Sequence, residues 1–314
     1  MLTSEIFGII VFCNISIATL LFLLIFLIVY INRQQFQQHI SILLTVNTCL
    51  ASFLTCFAVI IMTSSNLFGS FLIANMNFCY VWGLLYDVFE CSIYHSYALQ
   101  AFFRLCRVIF YKKKYLLKYR LYIRLIGVQW MLSFLLLLPA ILLKHYTQLS
   151  NQKYCLIAYT DVPMQIYVIF ILYAVPLICI VITYLCITFH IRRTSTATIT
   201  VTVARRQRQN LRDLTVLRQI VLLITILAIL RLPTVIFMAD AAIAHQLYEF
   251  TYEIVGLITS VCLIIIAIIT LYITPQIRNL IKVIQIRPTT AQMPVIISSI
   301  ELANNPDSRL TAGE

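Results

Sequence analysis

The chain has 314 residues, of which 61% are hydrophobic and only 11% charged, with a formal net charge of +12. Ordinary soluble domains carry roughly 25% charged residues, so there is too little charge here to solvate the surface of one globular domain. A soluble protein is excluded, and the surplus of positive charge has to lie in short segments between apolar ones.

Apolar runs of about 20 residues recur along the chain, the length that crosses a hydrocarbon core at ~1.5 Å per helical residue. Seven spans are predicted as helices: 6–31, 40–63, 79–103, 122–143, 164–190, 215–240 and 251–273. The expected fold class is an all-α membrane protein, a seven-transmembrane helix bundle over residues 1–285, followed by a cytoplasmic tail over 286–314. That tail is rich in Ser, Thr, Asn and Pro and reads as disordered. Its Ser298, Ser299, Ser308 and Thr311 are weak candidates for phosphorylation. The five residues before span one are too few for a folded ectodomain, and span one reads as an uncleaved signal anchor. The sequon Asn14-Ile15-Ser16 falls inside that span and is not expected to be glycosylated. No internal repeat is visible, which argues against transporters built from duplicated halves.

Orientation follows from where the 23 basic residues sit. Twenty lie in or at the edges of the connections after spans one, three and five or beyond span seven; Lys144 and Lys153 lie on the other side, and Arg231 lies deep inside a span. The basic side is therefore expected in the cytoplasm and the amino terminus outside. The charge is a topology signal, with membrane lipids as the partner it attracts; nothing outside the spans reads as a base-stacking platform, so no nucleic acid is expected.

Eight of the ten cysteines fall within spans or at their cytoplasmic ends, where they serve as small apolar residues. Only Cys79, at the outer start of span three, and Cys155, between spans four and five, face the oxidising side. A bridge between them would pin that loop over the mouth of the bundle; the alternative is two free thiols.

Several landmarks occur in order. Cys79 and Arg104 stand 25 residues apart at opposite ends of span three, the latter within Gln100-Ala101-Phe102-Phe103-Arg104-Leu105-Cys106-Arg107. Trp130 stands in span four with Pro139 nine residues on, Pro176 in span five is followed eight residues later by Tyr184, and Leu230-Arg231-Leu232-Pro233 lies in span six, 20 residues after Asp213. Over residues 6 to 285 this pattern resembles the rhodopsin-like (class A) G-protein-coupled receptors, as a divergent orphan member. The resemblance implies that Arg104 corresponds to the arginine of "DRY", with Asp213 as its acidic partner and Tyr184 in the same switch. It implies that Trp130, Pro176 and Pro233 are helix landmarks, and that Gln276 to Lys282 form a short amphipathic helix, about 275–285, along the inner membrane face. The departures are specific. Phe103 replaces the Asp of "DRY", Ser52 the sodium-binding Asp, Arg231 the toggle tryptophan of "CWxP", and "NPxxY" is absent, with Tyr272 in the nearest stretch.

Charges at bilayer depth are expensive, so Asp87, Glu90, Arg231 and Asp240 need a reason. At 100° per residue, Glu90 lies within about 40° of the Arg104 face of span three and Cys79 within about 20°. Arg231 stands five full turns from Asp213, on the same face of span six. Two rungs are expected from this spacing: Arg104 with Asp213 at the cytoplasmic end, and Glu90 with Arg231 at mid-depth. For Arg104 the bland alternative is a basic residue at the membrane edge; for Glu90 and Arg231 a purely structural pair competes with a ligand contact. Asp87 points about 100° from Arg104, and Tyr86 occupies the position where the aminergic receptors carry their Asp, so amine binding is not favoured. No Lys occurs in span seven to hold retinal, and His95 reads as an interior polar residue rather than a metal ligand.

No HExxH, GxSxG or phosphate loop occurs, so no enzyme, cofactor or metal is expected. The leading expectation is a plasma-membrane receptor passing the binding of an extracellular ligand, for which a peptide is one candidate class, to a heterotrimeric G protein. The alternative is a seven-helix transporter or proton-linked channel using Asp87, Glu90 and Arg231 as a polar pathway.

Overall fold

In the computed structural model, residues 2–32, 39–69, 71–149, 152–194, 221, 225, 232–244 and 250–273 are described. Seven helices occur among them, which we label α1 (Leu2–Ile31), α2 (Ile40–Phe68), α3 (Met76–Val108), α4 (Tyr119–Leu142), α5 (Val162–Thr194, in three parts), α6 (Leu232–Ala244) and α7 (Thr251–Ile273). Five stretches, Glu5–Ile31, Ile40–Phe68, Tyr119–Leu142, Val162–Ile191 and Thr251–Leu271, are long and apolar enough to cross a membrane. Several of their hydroxyls are satisfied within the helix: Ser16, Thr19, Thr45, Thr55 and Thr259 each donate to the carbonyl four residues back. That is how polar side chains are tolerated where no water can serve them. Large apolar side chains such as Leu20, Phe57, Val128, Met131, Leu185 and Phe189 point outward, a surface that water would not tolerate and lipid does.

Helix α3 is the axis of the bundle. It packs against α2, α4 and α5, and its amino-terminal end meets both strands of a hairpin. Its 33 residues span ~50 Å at ~1.5 Å each, and it starts at Met76 rather than 79 because the Asn75 side chain accepts the Phe78 N–H at 3.3 Å as an N-cap. Helix α1 closes the bundle from the other side, against α2 and α7. The main core joins α1, α2, α3, α5 and α7, with Ile15, Phe22, Ile25, Cys56, Ile93, Ile180 and Ile266 all buried.

Two local features add to the plain helices and loops expected. Helix α5 runs as Val162–Ile169, a π turn over Phe170–Ala174, and Val175–Thr194. Val175 N–H bonds to the Phe170 carbonyl five residues back, next to Pro176, which has no N–H to give. The segment between α4 and α5 is not helical at all: strands β1 (Tyr146–Gln148) and β2 (Cys155–Ile157) pair antiparallel, Tyr146 opposite Ile157 and Gln148 opposite Cys155. Among the described residues the fold is therefore helical with one small hairpin. Lys144 takes a left-handed φ of 58°, which ends α4 by letting the His145 N–H close on the Ala140 carbonyl at 3.0 Å. Of span six, only Val221, Thr225 and the part from Leu232 onward are described; Asp213, Arg231, the amphipathic segment 275–285 and the tail lie outside the described residues.

Candidate functional site

The amino-terminal half of α3 carries a row of residues at near-helical spacing: Cys79, Gly83, Tyr86 with Asp87, and Glu90. Cys79 is bonded to Cys155 of β2, with Cα atoms 5.5 Å apart. One turn further in, a Cβ on Gly83 would lie 2.5 Å from the Cys155 carbonyl oxygen and 2.9 Å from the Tyr146 ring. Only glycine lets the hairpin settle this close. We therefore expect Gly83→Ala to lift the hairpin and cost ~1–3 kcal/mol, as overpacking does, read as a lower melting temperature of the purified protein. An unchanged melting temperature would mean that the hairpin does not sit on α3 in this way.

The hairpin is tied to the rest of the bundle by side chains. Ser65 Oγ donates to the Lys153 carbonyl at 3.0 Å, and Asn66 Oδ1 accepts the Lys153 N–H at 3.1 Å. Asn66 also donates to Gln152, whose amide donates in turn to Glu253 of α7 at 2.8 Å. Gln165 of α5 donates to the Ile157 carbonyl at 2.7 Å. The Tyr159 ring stacks on Tyr252 at 5.1 Å, and His145 bonds to Asp161 just ahead of α5. The hairpin and the residues after it thus form a roof fastened to α2, α3, α5 and α7.

Beneath the roof lies a cavity of about 1140 Å³, the open space at its mouth included. It reaches from Phe7 and Val11 of α1, past α2 and α7, to Leu172 and Tyr173 of α5. Three carboxylates line it. Asp87, 8% exposed, accepts the Tyr146 hydroxyl at 2.7 Å; Glu90, 5% exposed, accepts the Tyr173 hydroxyl at 2.9 Å; Glu253 accepts from Gln152. Burial first, and then the Asp87 charge, push the Tyr146 phenol well above its ordinary pKa, so it remains a donor. Tyr154 is raised in the same direction, by burial and then by Glu253. Tyr86, Tyr154, Tyr159, Tyr173 and Tyr252 supply aromatic walls.

Glu90 thus points inward as its helical angle implied, and Asp87 lines the same cavity in spite of its 100° offset. A cavity that wraps partway round α3 admits both faces. The side chain of Tyr173 reaches Glu90 from the π turn, its ring edge-on to Tyr94 at 4.7 Å. Trp130 is not an isolated landmark: its Nε1 donates to Asn47 Oδ1 at 2.9 Å, Asn47 donates to Gln129 at 2.7 Å, and Gln129 donates to the Ser92 carbonyl at 3.1 Å. This buried circuit, with Thr48, Ser96 and Gln100 bonded beside it, locks α2, α3 and α4 together in the middle of the bundle.

At the carboxyl-terminal end of α3, Arg104 is half-buried. Phe103 is buried against Tyr122 with ring centroids 5.1 Å apart and under the Arg107 guanidinium at 5.8 Å. The pair forms an aromatic joint between α3 and α4. Tyr184 packs half-buried against the main core, and Pro176 is buried in α5 while Pro233 is half-buried in α6. His95 Nδ1 lies 3.0 Å from the Cys91 carbonyl, and among the described residues no three His, Cys, Asp or Glu side chains could share a metal ion. The rungs from Arg104 to Asp213 and from Glu90 to Arg231 fall on residues outside those described.

Sequence reasoning passed over Gly83, Tyr146, Gln152 and Tyr173. A glycine four residues after Cys79, on the same helical face, is the one signal that pointed to close approach by the bridged loop; nothing local marks the other three. No family model matches the chain, and no curated protein matches its sequence.

Proposed function

We propose that the chain is a seven-helix receptor of the plasma membrane, amino terminus outside, which binds an extracellular ligand in the roofed cavity and passes that binding to a heterotrimeric G protein at the inner end of α3. The observation that carries this reading is the connection of two ends by one helix. Asp87 and Glu90 of α3 line the cavity, and the same helix carries Arg104 about four turns further in. A ligand that binds one packing of the bundle better than another shifts its population, and the inner end of α3 shifts with it. The three carboxylates and five tyrosines of the lining fit a positively charged ligand with apolar groups, and a basic peptide has both.

The test is a ligand screen of the full chain in cells, read through a promiscuous G protein. Pools of basic peptides should give responses that acidic pools do not, and Asp87→Asn should weaken the potency of an active peptide by about tenfold or more, the loss of one charge-assisted contact. Proton or solute flux through the protein in reconstituted vesicles, with no G-protein response to any pool, would assign the chain to the transporter reading instead, in which Asp87, Glu90 and Arg231 form a polar pathway.

A further inference from the structure

The connection between α3 and α4 is short, ordered and unusually one-sided in charge. Arg107, Lys112, Lys113, Lys114, Lys118, Arg120 and Arg124 fall within 18 residues, and no Asp or Glu occurs anywhere between Cys91 and Thr160. Lys112 to Lys114, Lys118, Arg120 and Arg124 are all exposed. Three aromatic rings stand among them, also exposed: Phe110 at 38%, Tyr111 at 38% and Tyr115 at 57%. The Lys113 ammonium sits 5.6 Å from the Phe110 centroid and the Lys112 ammonium 6.0 Å from that of Tyr111.

The segment is held in one shape rather than strung across the gap. Lys113 N–H bonds to the Phe110 carbonyl at 2.8 Å, a 3₁₀ turn covers Lys114–Leu117, and Leu117 turns inward onto the cluster of Leu44, Phe103 and Tyr122. With Leu117 as the inward anchor, the lysines and the rings are displayed at the ends of α3 and α4, where the hydrocarbon-facing surface of the bundle stops. Rings with an apolar body and a polar edge settle at headgroup depth, and lysines beside them reach anionic phosphates. The geometry points to this connection as a binding surface for anionic phospholipid headgroups of the inner leaflet, with polyphosphorylated inositol lipids as the best fit to three consecutive lysines. A nucleic acid would match the same charge, but the surface is continuous with the membrane-embedded face of α3 and α4, which only lipid occupies. The inference rests on the chain being embedded in a membrane, and not on which partner it signals to.

Full-length protein in a neutral detergent, titrated with a short-chain phosphatidylinositol bisphosphate and read by native mass spectrometry, tests it. The wild-type chain should retain this lipid in preference to phosphatidylcholine of the same chain length. Each basic residue near a membrane surface is worth roughly fivefold in affinity, so Lys112→Gln with Lys113→Gln and Lys114→Gln should weaken retention by more than tenfold. The same three positions changed to Arg should restore it. Neutralising Arg205, Arg206 and Arg208, in the connection after α5, should change it less than twofold. All three lysines are exposed, so an unchanged melting temperature should accompany the loss. Phe110→Ser with Tyr115→Ser should reduce retention of the lipid while leaving binding of the free inositol trisphosphate headgroup unaltered. Equal retention by the wild type and the glutamine variant would overturn the proposal, as would a single-stranded oligouridylate that displaces the lipid at equal phosphate concentration.

Discussion

Replacing Cys79 or Cys155 by Ser should leave little protein at the cell surface and lower the melting temperature of what can be purified. The two residues are 76 apart in sequence, and closing a loop of that length removes enough freedom from the unfolded chain to stabilise the folded one by ~4 kcal/mol in the chain-entropy account. In the folded protein the bridge holds β2 over Gly83, and through β2 the whole roof. The remaining ties, from Ser65, Asn66, Gln152, Gln165 and Tyr146, are individual hydrogen bonds, worth ~0.5–1.5 kcal/mol each, or ~1.5–3 kcal/mol for those of Tyr146 and Gln152 to a carboxylate. They keep the hairpin near its place and do not fix it. The double replacement should be no worse than either single one, because both remove the same bond. Ligand affinity should fall with stability in all three variants, since Gln152, Tyr154, Leu156 and Ile157 of the roof also line the cavity. Mass spectrometry that finds both residues as free thiols in active, surface-expressed protein would refute this account.

How much of this was legible in the sequence differs by scale. Apolar runs locate the helices because a span must satisfy its own backbone and fill ~30 Å of hydrocarbon, so hydropathy and length carry the information. The edges moved where a side chain decided them: Asn75 capped α3 early, and Gly69 ended α2 later than 63. The hairpin was not legible, because three-residue strands are too short for a period-2 pattern to register, and their pairing depends on α3 lying underneath. Helical angles placed Glu90 in the interior, since one helix is a rigid ruler. They set Asp87 about 100° from the Arg104 face, yet Asp87 and Tyr86, both expected at a pocket, line the same cavity as Glu90, because an angle measured from Arg104 says nothing about how far a cavity extends around α3. The partner of Asp87, Tyr146, lies 59 residues away on another element, and no local pattern announces such a contact. Trp130 was legible as a landmark. Its circuit through Asn47 and Gln129 was not, although a Gln beside a Trp in an apolar helix is a polar group that must find a partner.

Glu90 and Arg231 should show the strongest energetic coupling in the bundle. A charge at bilayer depth costs at least ~2.5 kcal/mol on insertion scales, and Glu90 is 5% exposed with the Tyr173 hydroxyl as a neutral donor at 2.9 Å. Arg231 lies outside the described residues, but the helical spacing from Asp213 puts it on the face and near the depth that a partner of Glu90 requires. Under the proposed receptor reading, the pair would stand where the rhodopsin-like receptors that the sequence resembles carry an aromatic toggle, linking cavity occupancy to movement of span six. Glu90→Gln is the informative single change, because a glutamine oxygen can still accept from Tyr173, so any loss reports on the charge rather than on that hydrogen bond. Breaking a buried pair costs ~3–5 kcal/mol, enough to lower the melting temperature of the purified protein by several degrees or to shift its basal signalling. Tyr173→Phe should cost less, ~1.5–3 kcal/mol for a bond to a charged acceptor. The exchange of Glu90→Arg with Arg231→Glu should recover part of the loss of either alone. If the double-mutant cycle of Glu90→Gln and Arg231→Gln returns a coupling near zero, the two do not pair, whatever each single change does, and the link between cavity and span six has to be sought through Tyr173 and the π turn of α5.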